Sequence, residues 1–318
     1  MSGENGGGLA LSRFFYAEYG RDILRWLLPD VFPHMAVGLV GEGSECFGFD
    51  DVLSRDHDWG PAFCVWLPAN ELEASRESIL TALAELPDEF RDHATRLNPP
   101  RPADRVGPLS VEDFYERFTG LRRPPESWRE WRLIPEPNLA VCTNGEVFED
   151  NLGLFSAWRE TLLTSFPKDL RLKRLAVRCF DMAQAGQYNL LRMGSREDAA
   201  AVLFCAARFA EQAVSCVFLL NRRHAPFYKW AARGVRALPR LGMEAGEVLD
   251  VLSGVRWSDA GERGRAQDAV EAFCAQVATE LRRQEVSGAA GDWLLDHAES
   301  VRARITIPAL REMPLSLE

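Results

Sequence analysis

The hydrophobic positions of this chain change their spacing partway along it. Residues 11–28 set Phe14, Phe15, Tyr16, Ile23, Leu24, Trp26 and Leu27 at helical intervals and end at Pro29, predicting one helix. Two apolar runs follow, Met35-Ala36-Val37-Gly38-Leu39-Val40 and Ala62-Phe63-Cys64-Val65-Trp66-Leu67, each of strand length with turn residues at its borders. Residues 71–86 return to the helical period, with Leu72, Ile79, Leu80, Leu83 and Leu86 inward and Pro87 closing the run. Residues 98–109 are rich in Pro and Arg and have no period, so they read as a loop running to a short strand near 106–111. A short helix carrying Phe114, Tyr115 and Phe118 comes next, then a loop-like stretch containing Trp128 and Trp131. Residues 139–148 fit a strand or a helix running into a glycine turn equally well.

From about Asn151 the texture becomes helical throughout. Leu154, Phe155, Trp158, Leu162, Leu163 and Phe166 form one stripe and residues 170–182 another. Ser195-Arg196-Glu197-Asp198 has the spacing of a capping box at the head of a long apolar helix ending near Asn221. Pro226 opens a helix that stops before Pro239, and residues 266–283 and 292–305 supply two more. The expected fold is α+β: a small mixed-sheet domain over 9–150 and an α-helical bundle domain over 151–318, after a glycine-rich flexible tail at 1–8.

Composition narrows the partners. The chain has 318 residues, 47% apolar and 26% charged, as expected of a globular protein of one or two domains. Its formal net charge is −10, and the average field of such a protein repels nucleic acid and anionic membrane. The apolar stretch 199–220 is interrupted by Arg208, Glu211 and Gln212, which favours a buried helix over a membrane span. Seven cysteines sit in apolar settings without a Cys-x-x-Cys pair, and no signal-peptide pattern opens the chain. Both features predict small core residues in a reducing, cytoplasmic compartment.

The densest chemistry lies at 41–61, Gly-Glu-Gly-Ser-Glu-Cys-Phe-Gly-Phe-Asp-Asp-Val-Leu-Ser-Arg-Asp-His-Asp-Trp-Gly-Pro, between the two apolar runs. If Asp56-His57-Asp58 begins the second strand, alternation sends Asp56 and Asp58 to one face and His57 and Trp59 to the other. Their Cα atoms would then be about 6.6 Å apart, from a rise of roughly 3.3 Å per residue. Two carboxylates so placed can converge on a pair of magnesium ions roughly 3.5–4 Å apart. Hard oxygen ligands suit magnesium, which keeps waters and substrate phosphates in its other positions. Gly43 lets a polyphosphate approach the backbone N–H groups of the turn, and the Ser44 hydroxyl can donate to it. Against this stands the plain alternative that Asp50, Asp51, Asp56 and Asp58 are solvated turn residues bonded to their own backbone. A Walker loop is excluded because no Lys lies near Gly41–Gly48, and a dinucleotide fingerprint because no amphipathic helix opens at these glycines.

The Gly-Ser turn followed by Asp-x-Asp ahead of an apolar strand resembles the signature of the polymerase-β-type nucleotidyltransferase superfamily. The fuller string through Asp-His-Asp-Trp-Gly-Pro is similar to a branch known as a domain of unknown function, family 4037, related to the aminoglycoside nucleotidyltransferases. The likeness continues through Ile134-Pro135-Glu136, Gly145-Glu146-Val147-Phe148-x-Asp150, Gln187-Tyr188-Asn189 and Phe218-Leu219-Leu220-Asn221. What it implies is a mixed-sheet catalytic domain, a helical substrate domain, and transfer of a nucleoside monophosphate, AMP, from magnesium-bound ATP to a hydroxyl of a small acceptor with release of pyrophosphate.

The resemblance also implies a third carboxylate acting as metal ligand or general base. The strand near Val106 carries Gly107 where an acid would be sought; Asp104, Glu112 and Glu130 are the alternatives, and Glu130 is taken as the candidate. Lys229, between Tyr228 and Trp230 in a local basic cluster, is the candidate triphosphate contact beside Gly43 and Ser44. Arg55 can reach phosphate or simply pair with Asp50 or Asp51. Two other classes of function stay open: a catalytically silent nucleotide-binding or dimeric interaction protein on the same fold, and nucleotidyl transfer to transfer RNA or to protein.

Overall fold

The computed structural model describes residues 7–55, 58–164 and 166–318. It is α+β, with 61% of residues helical. Two compact units emerge: unit 1 holds residues up to 126 and 138–164, and unit 2 holds 127–137 and 165–318.

Unit 1 is built on strands β1 (Ala36–Leu39), β2 (Cys64–Leu67), β3 (Glu89–Phe90), β4 (His93–Ala94), β5 (Gly107–Ser110) and β6 (Glu146–Asp150). Four of them form a mixed sheet in the order β5-β2-β1-β6, and β3 pairs with β4 alone. β1 runs antiparallel to β2, Val37 opposite Val65, and antiparallel to β6; β2 runs parallel to β5. Every residue of β1 and β2 is buried, which explains why these strands read as unbroken apolar runs and not as alternation. The helical run at 8–27, α-helical at Gly8–Phe15 and Arg21–Leu27 with a π-helical stretch at Tyr16–Gly20, places Phe15 and Tyr16 against the Phe63 ring. Across the sheet Trp66 stacks on Phe155 with ring centroids 4.0 Å apart. The helix Leu154–Leu163, which carries Phe155, lies in unit 1.

Unit 2 contains the helices Lys168–Met182, Ala199–Leu220, Gly242–Gly254, Ala260–Arg283 and Leu294–Ala303. Lys168–Met182 is buried nearly all round and carries Arg171, Lys173, Arg174 and Arg178 inside with it. Ala199–Leu220 is long and apolar enough to cross a membrane, and about half of its most apolar window is buried within the protein. Its cap differs from the sequence expectation. Asp198 accepts from Ala201 N at 3.0 Å, whereas Ser195 closes the preceding helix by donating to Leu191 O. The ambiguous stretch 139–148 resolves into both alternatives, a helix Glu136–Thr143 and then β6. Gln187, Tyr188 and Asn189 lie in a π-helical continuation, Ala183–Leu190.

Candidate functional site

The chain leaves β1 through Gly41-Glu42-Gly43-Ser44 and enters a single 3-10 turn, Glu45–Phe47. This bend is pinned from outside. Asn144 accepts from Gly41 N at 3.1 Å and donates to Gly41 O at 2.7 Å, and Gly145 N donates to Cys46 O at 2.7 Å. Gly145 takes φ +58°, and a Cβ there would meet the Leu39 carbonyl at 2.0 Å, so only glycine fits beneath the turn. Arg159 then bonds the carbonyls of Thr143 and Asn144 at 2.7 and 2.8 Å. Ser44 is half-buried, and its hydroxyl caps no N–H of the turn it opens.

Gly43 has a different reason for lacking a side chain. A Cβ at this position would lie 2.4 Å from Glu45 Oε2. Glu45 is only 5% exposed and pairs at 3.1 Å with Arg96, itself 8% exposed. The same guanidinium donates to the Asp58 carbonyl at 2.6 Å and to the Gly60 carbonyl at 3.2 Å. A buried ion pair thus joins the turn after β1 to the loop before β2, and its remaining donors are satisfied by backbone.

The acidic loop is not the head of a strand. β2 begins at Cys64, and Asp58 adopts φ +52°, a left-handed conformation outside the pleated region, so strand alternation does not set its direction. Asp56 and His57 lie outside the described residues. Asp58 is exposed and faces Arg105 at 3.9 Å, and Arg105 also stands 3.7 Å from Glu42. Glu42 is held in turn by Arg117 at 2.6 Å. Asp50 accepts from Gly8 N at 2.8 Å and Trp59 Nε1 at 3.0 Å, tying the first helix to the loop. Asp51 bonds the N–H groups of Leu53 and Ser54, the local turn chemistry typical of Asp. Arg55 is exposed, with its guanidinium 4.6 Å from the Trp59 ring centroid.

Gly41, Glu42, Gly43, Asp58, Arg96 and Arg105 line one cavity of about 20 Å³, room for roughly a single water. Cys46 also lines it, and burial pushes its thiol up, as it does that of Cys64, the latter to about 12. Among the described residues no group of three or more His, Cys, Asp or Glu is placed to hold a metal ion. The donor set is hard oxygen throughout, and Arg105, between Glu42 and Asp58, supplies the positive charge their carboxylates attract. One or two carboxylates with phosphate oxygens are the usual protein share of a magnesium site, and Asp58 is the one member of the sequence-predicted pair that the described residues place.

The remaining candidates belong to unit 2. Glu130 caps the helix Trp128–Leu133 in a capping box, accepting from Ser127 N at 3.1 Å. Lys229 is exposed on the helix Tyr228–Val235, its ammonium 5.2 Å from the Trp230 ring centroid. Sequence patterning missed Arg96, Asn144 and Arg159, which shape the turn without belonging to it. The Asn-Gly dipeptide at 144–145 was the one available signal, a turn dipeptide between a helix and a strand.

Residues 131–231 match the family described as a domain of unknown function (DUF4037). The matched interval contains Glu136, Arg174, Arg178 and Lys229, and it does not reach the 41–61 segment. No curated protein and no solved structure matches the chain.

Proposed function

We propose that the chain is a magnesium-dependent nucleotidyltransferase of the polymerase-β type, moving AMP from ATP to a hydroxyl of a small acceptor and releasing pyrophosphate. The observation that carries this reading is that Gly43 and Asp58, from opposite ends of the loop between β1 and β2, line the same cavity. The turn N–H groups and the uncommitted Ser44 hydroxyl supply donors for the β- and γ-phosphates. Arg105 and Arg55, both at the exposed side of the loop, supply positive charge for the triphosphate. Asp56 and Asp58 would hold magnesium, which stabilises the charge on attacking and leaving oxygens when bound. Buried Arg96 keeps the two halves of the site in register, so most of the catalysis is positioning and electrostatics.

A second reading, a nucleotide-binding protein without turnover, is favoured by one observation: the Glu130 carboxylate is engaged as a helix cap, away from base chemistry. Titration with a non-hydrolysable ATP analogue tests what both readings share. Binding should require magnesium and weaken at least tenfold in Asp58→Asn, by loss of a ligand carboxylate. Absence of binding with and without magnesium would remove both.

A further inference from the structure

Unit 2 contains a cavity of about 640 Å³, large enough for a small organic molecule. Its walls are mostly apolar, from Ile134, Pro135, Val214, Pro226 and Leu249, with the Phe227 and Tyr228 rings, centroids 4.3 Å apart, exposed at its edge. Three arginines converge on it. Arg174 is 4% exposed, Arg178 is buried, and Arg132 is half-buried.

What those arginines touch is the chain itself. The Glu318 carboxylate forms an ion pair with Arg178 and lies 3.4 Å from Arg174 Nε, while Arg132 Nε donates to the Glu318 carbonyl at 2.5 Å. The preceding residues are moored separately: Lys173 donates to the carbonyls of Met313 and Pro314 at 3.0 and 2.7 Å. Behind the ion pair, Arg178 Nε donates to Ser215 Oγ at 2.8 Å, and Ser215 leads on to Glu136, which also accepts from Ala225 N at 3.1 Å. Two arginines and two glutamates therefore balance only while Glu318 is in place. Once its carboxylate leaves, the lining residues Arg132, Arg174 and Arg178 outnumber the acids Glu136 and Glu211, and the pocket carries a net positive charge.

Glu318 does not complete the site. Arg174 Nε is within ion-pair range of it yet has no aligned hydrogen bond, and Gln212 Oε1, on a residue 4% exposed, has no donor. Buried polar atoms without partners cost stability, and a ligand that supplies the missing partner recovers that cost. The missing complements are an acceptor for Arg174 and a donor for Gln212.

We propose that this cavity binds a small carboxylic acid that carries an amide-like N–H donor and an apolar body, and that the Glu318 side chain is its built-in competitor. The carboxylate takes the place of Glu318 between Arg174 and Arg178, the N–H reaches Gln212 Oε1, and the apolar part lies along Ile134, Val214 and Phe227. The site lies wholly in unit 2 and stands independently of the nucleotidyl-transfer reading.

The probe is N-acetyl-leucyl-glutamic acid α-amide, which bears a single side-chain carboxylate on a peptide body, with N-acetyl-leucyl-glutamine α-amide as the neutral control. Isothermal titration of the intact protein and of Glu318→Ala is expected to show at least tenfold tighter binding of the acidic probe to the variant, and no measurable binding of the neutral one to either. In the Glu318→Ala background, Arg178→Lys keeps the charge but loses the fork, and should weaken binding severalfold. Arg132→Gln, at the less buried rim, is the companion variant if Arg178→Lys fails to fold, and it too should weaken binding. Equal binding of the acidic and neutral probes, equal affinity in wild type and Glu318→Ala, or no binding to a folded Glu318→Ala would each overturn the proposal.

Discussion

Arg96 Nη2 stands 3.1 Å from Glu45 Oε1 in a nearly dry setting, while the other two nitrogens of the guanidinium hold the backbone of Asp58 and Gly60. One side chain thereby fixes both edges of the candidate site. Removing it leaves the Glu45 charge buried and two carbonyls without donors. Arg96→Met should lower unfolding stability by about 3–5 kcal/mol, and Glu45→Leu with Arg96→Met should lose less than Arg96→Met alone. Chemical denaturation of the three proteins checks this ordering.

Gly43 is predicted to depend on the same pair. A methyl group at 43 would meet Glu45 Oε2 at 2.4 Å, and Glu45 cannot swing aside without straining its contact with Arg96. Gly43→Ala should cost about 1–3 kcal/mol, the usual range for overpacking. In the Glu45→Ala background that additional cost should largely vanish, because the obstructing atom is gone. Additive losses in the double-mutant cycle would mean that backbone conformation, and not Glu45, demands glycine.

The legible part of this fold was the part set by periodicity. Buried β1 and β2 announce themselves as apolar runs, and the helices Ala69–Ala84 and Val111–Thr119 follow from their stripes and terminators. The site was legible only as composition. Asp58 looked like a strand residue by proximity to residues 62–67, but Gly60 at φ +139° and Pro61 break the extension before β2 starts. Arg96 sits in a stretch with little periodicity, and nothing local distinguishes it from the exposed arginines around it. The helix Lys168–Met182 misleads for a related reason. Its basic residues would signal a solvated face, but Arg171, Lys173, Arg174 and Arg178 are all buried on partners remote in sequence.

Cysteine reactivity should follow burial. Six of the seven thiols are buried, and Cys205 alone is partly exposed. Burial raises the pKa of Cys46, Cys64, Cys142, Cys274 and the partly exposed Cys205, that of Cys179 is raised first by its hydrogen bond with Cys216 and then by burial, and all seven thiols are free, so exposure sets the order. A thiol reagent at neutral pH is expected to label Cys205 first in the native protein, and the remaining six only as the protein unfolds. Mass spectrometry of the labelled peptides reads the order directly.

Glu318 makes a pH prediction. Burial pushes its carboxyl up, but the Arg178 and Arg174 guanidinium groups outweigh burial and hold it below the usual glutamate range. A depressed folded pKa contributes stability that is fully present above the unfolded value, about 4.3, and is lost as the pH falls through the folded value. Wild type should exceed Glu318→Gln by about 1–3 kcal/mol at pH 7, and the gap should close as the pH drops from about 4 toward 2. Thermal denaturation of both proteins across that range measures it; a gap unchanged from pH 7 to pH 3 would show that Glu318 stabilises through packing instead of charge.

The loop between β1 and β2 is proposed to carry transfer chemistry, and pyrophosphate release measures that proposal most directly. With magnesium, ATP and a panel of small hydroxylated acceptors, wild type should release pyrophosphate, and the Asp56→Asn with Asp58→Asn double variant should fall by at least a hundredfold while remaining folded, the scale expected when the groups stabilising transition-state charge are lost. Equal release from the two proteins would contradict the account.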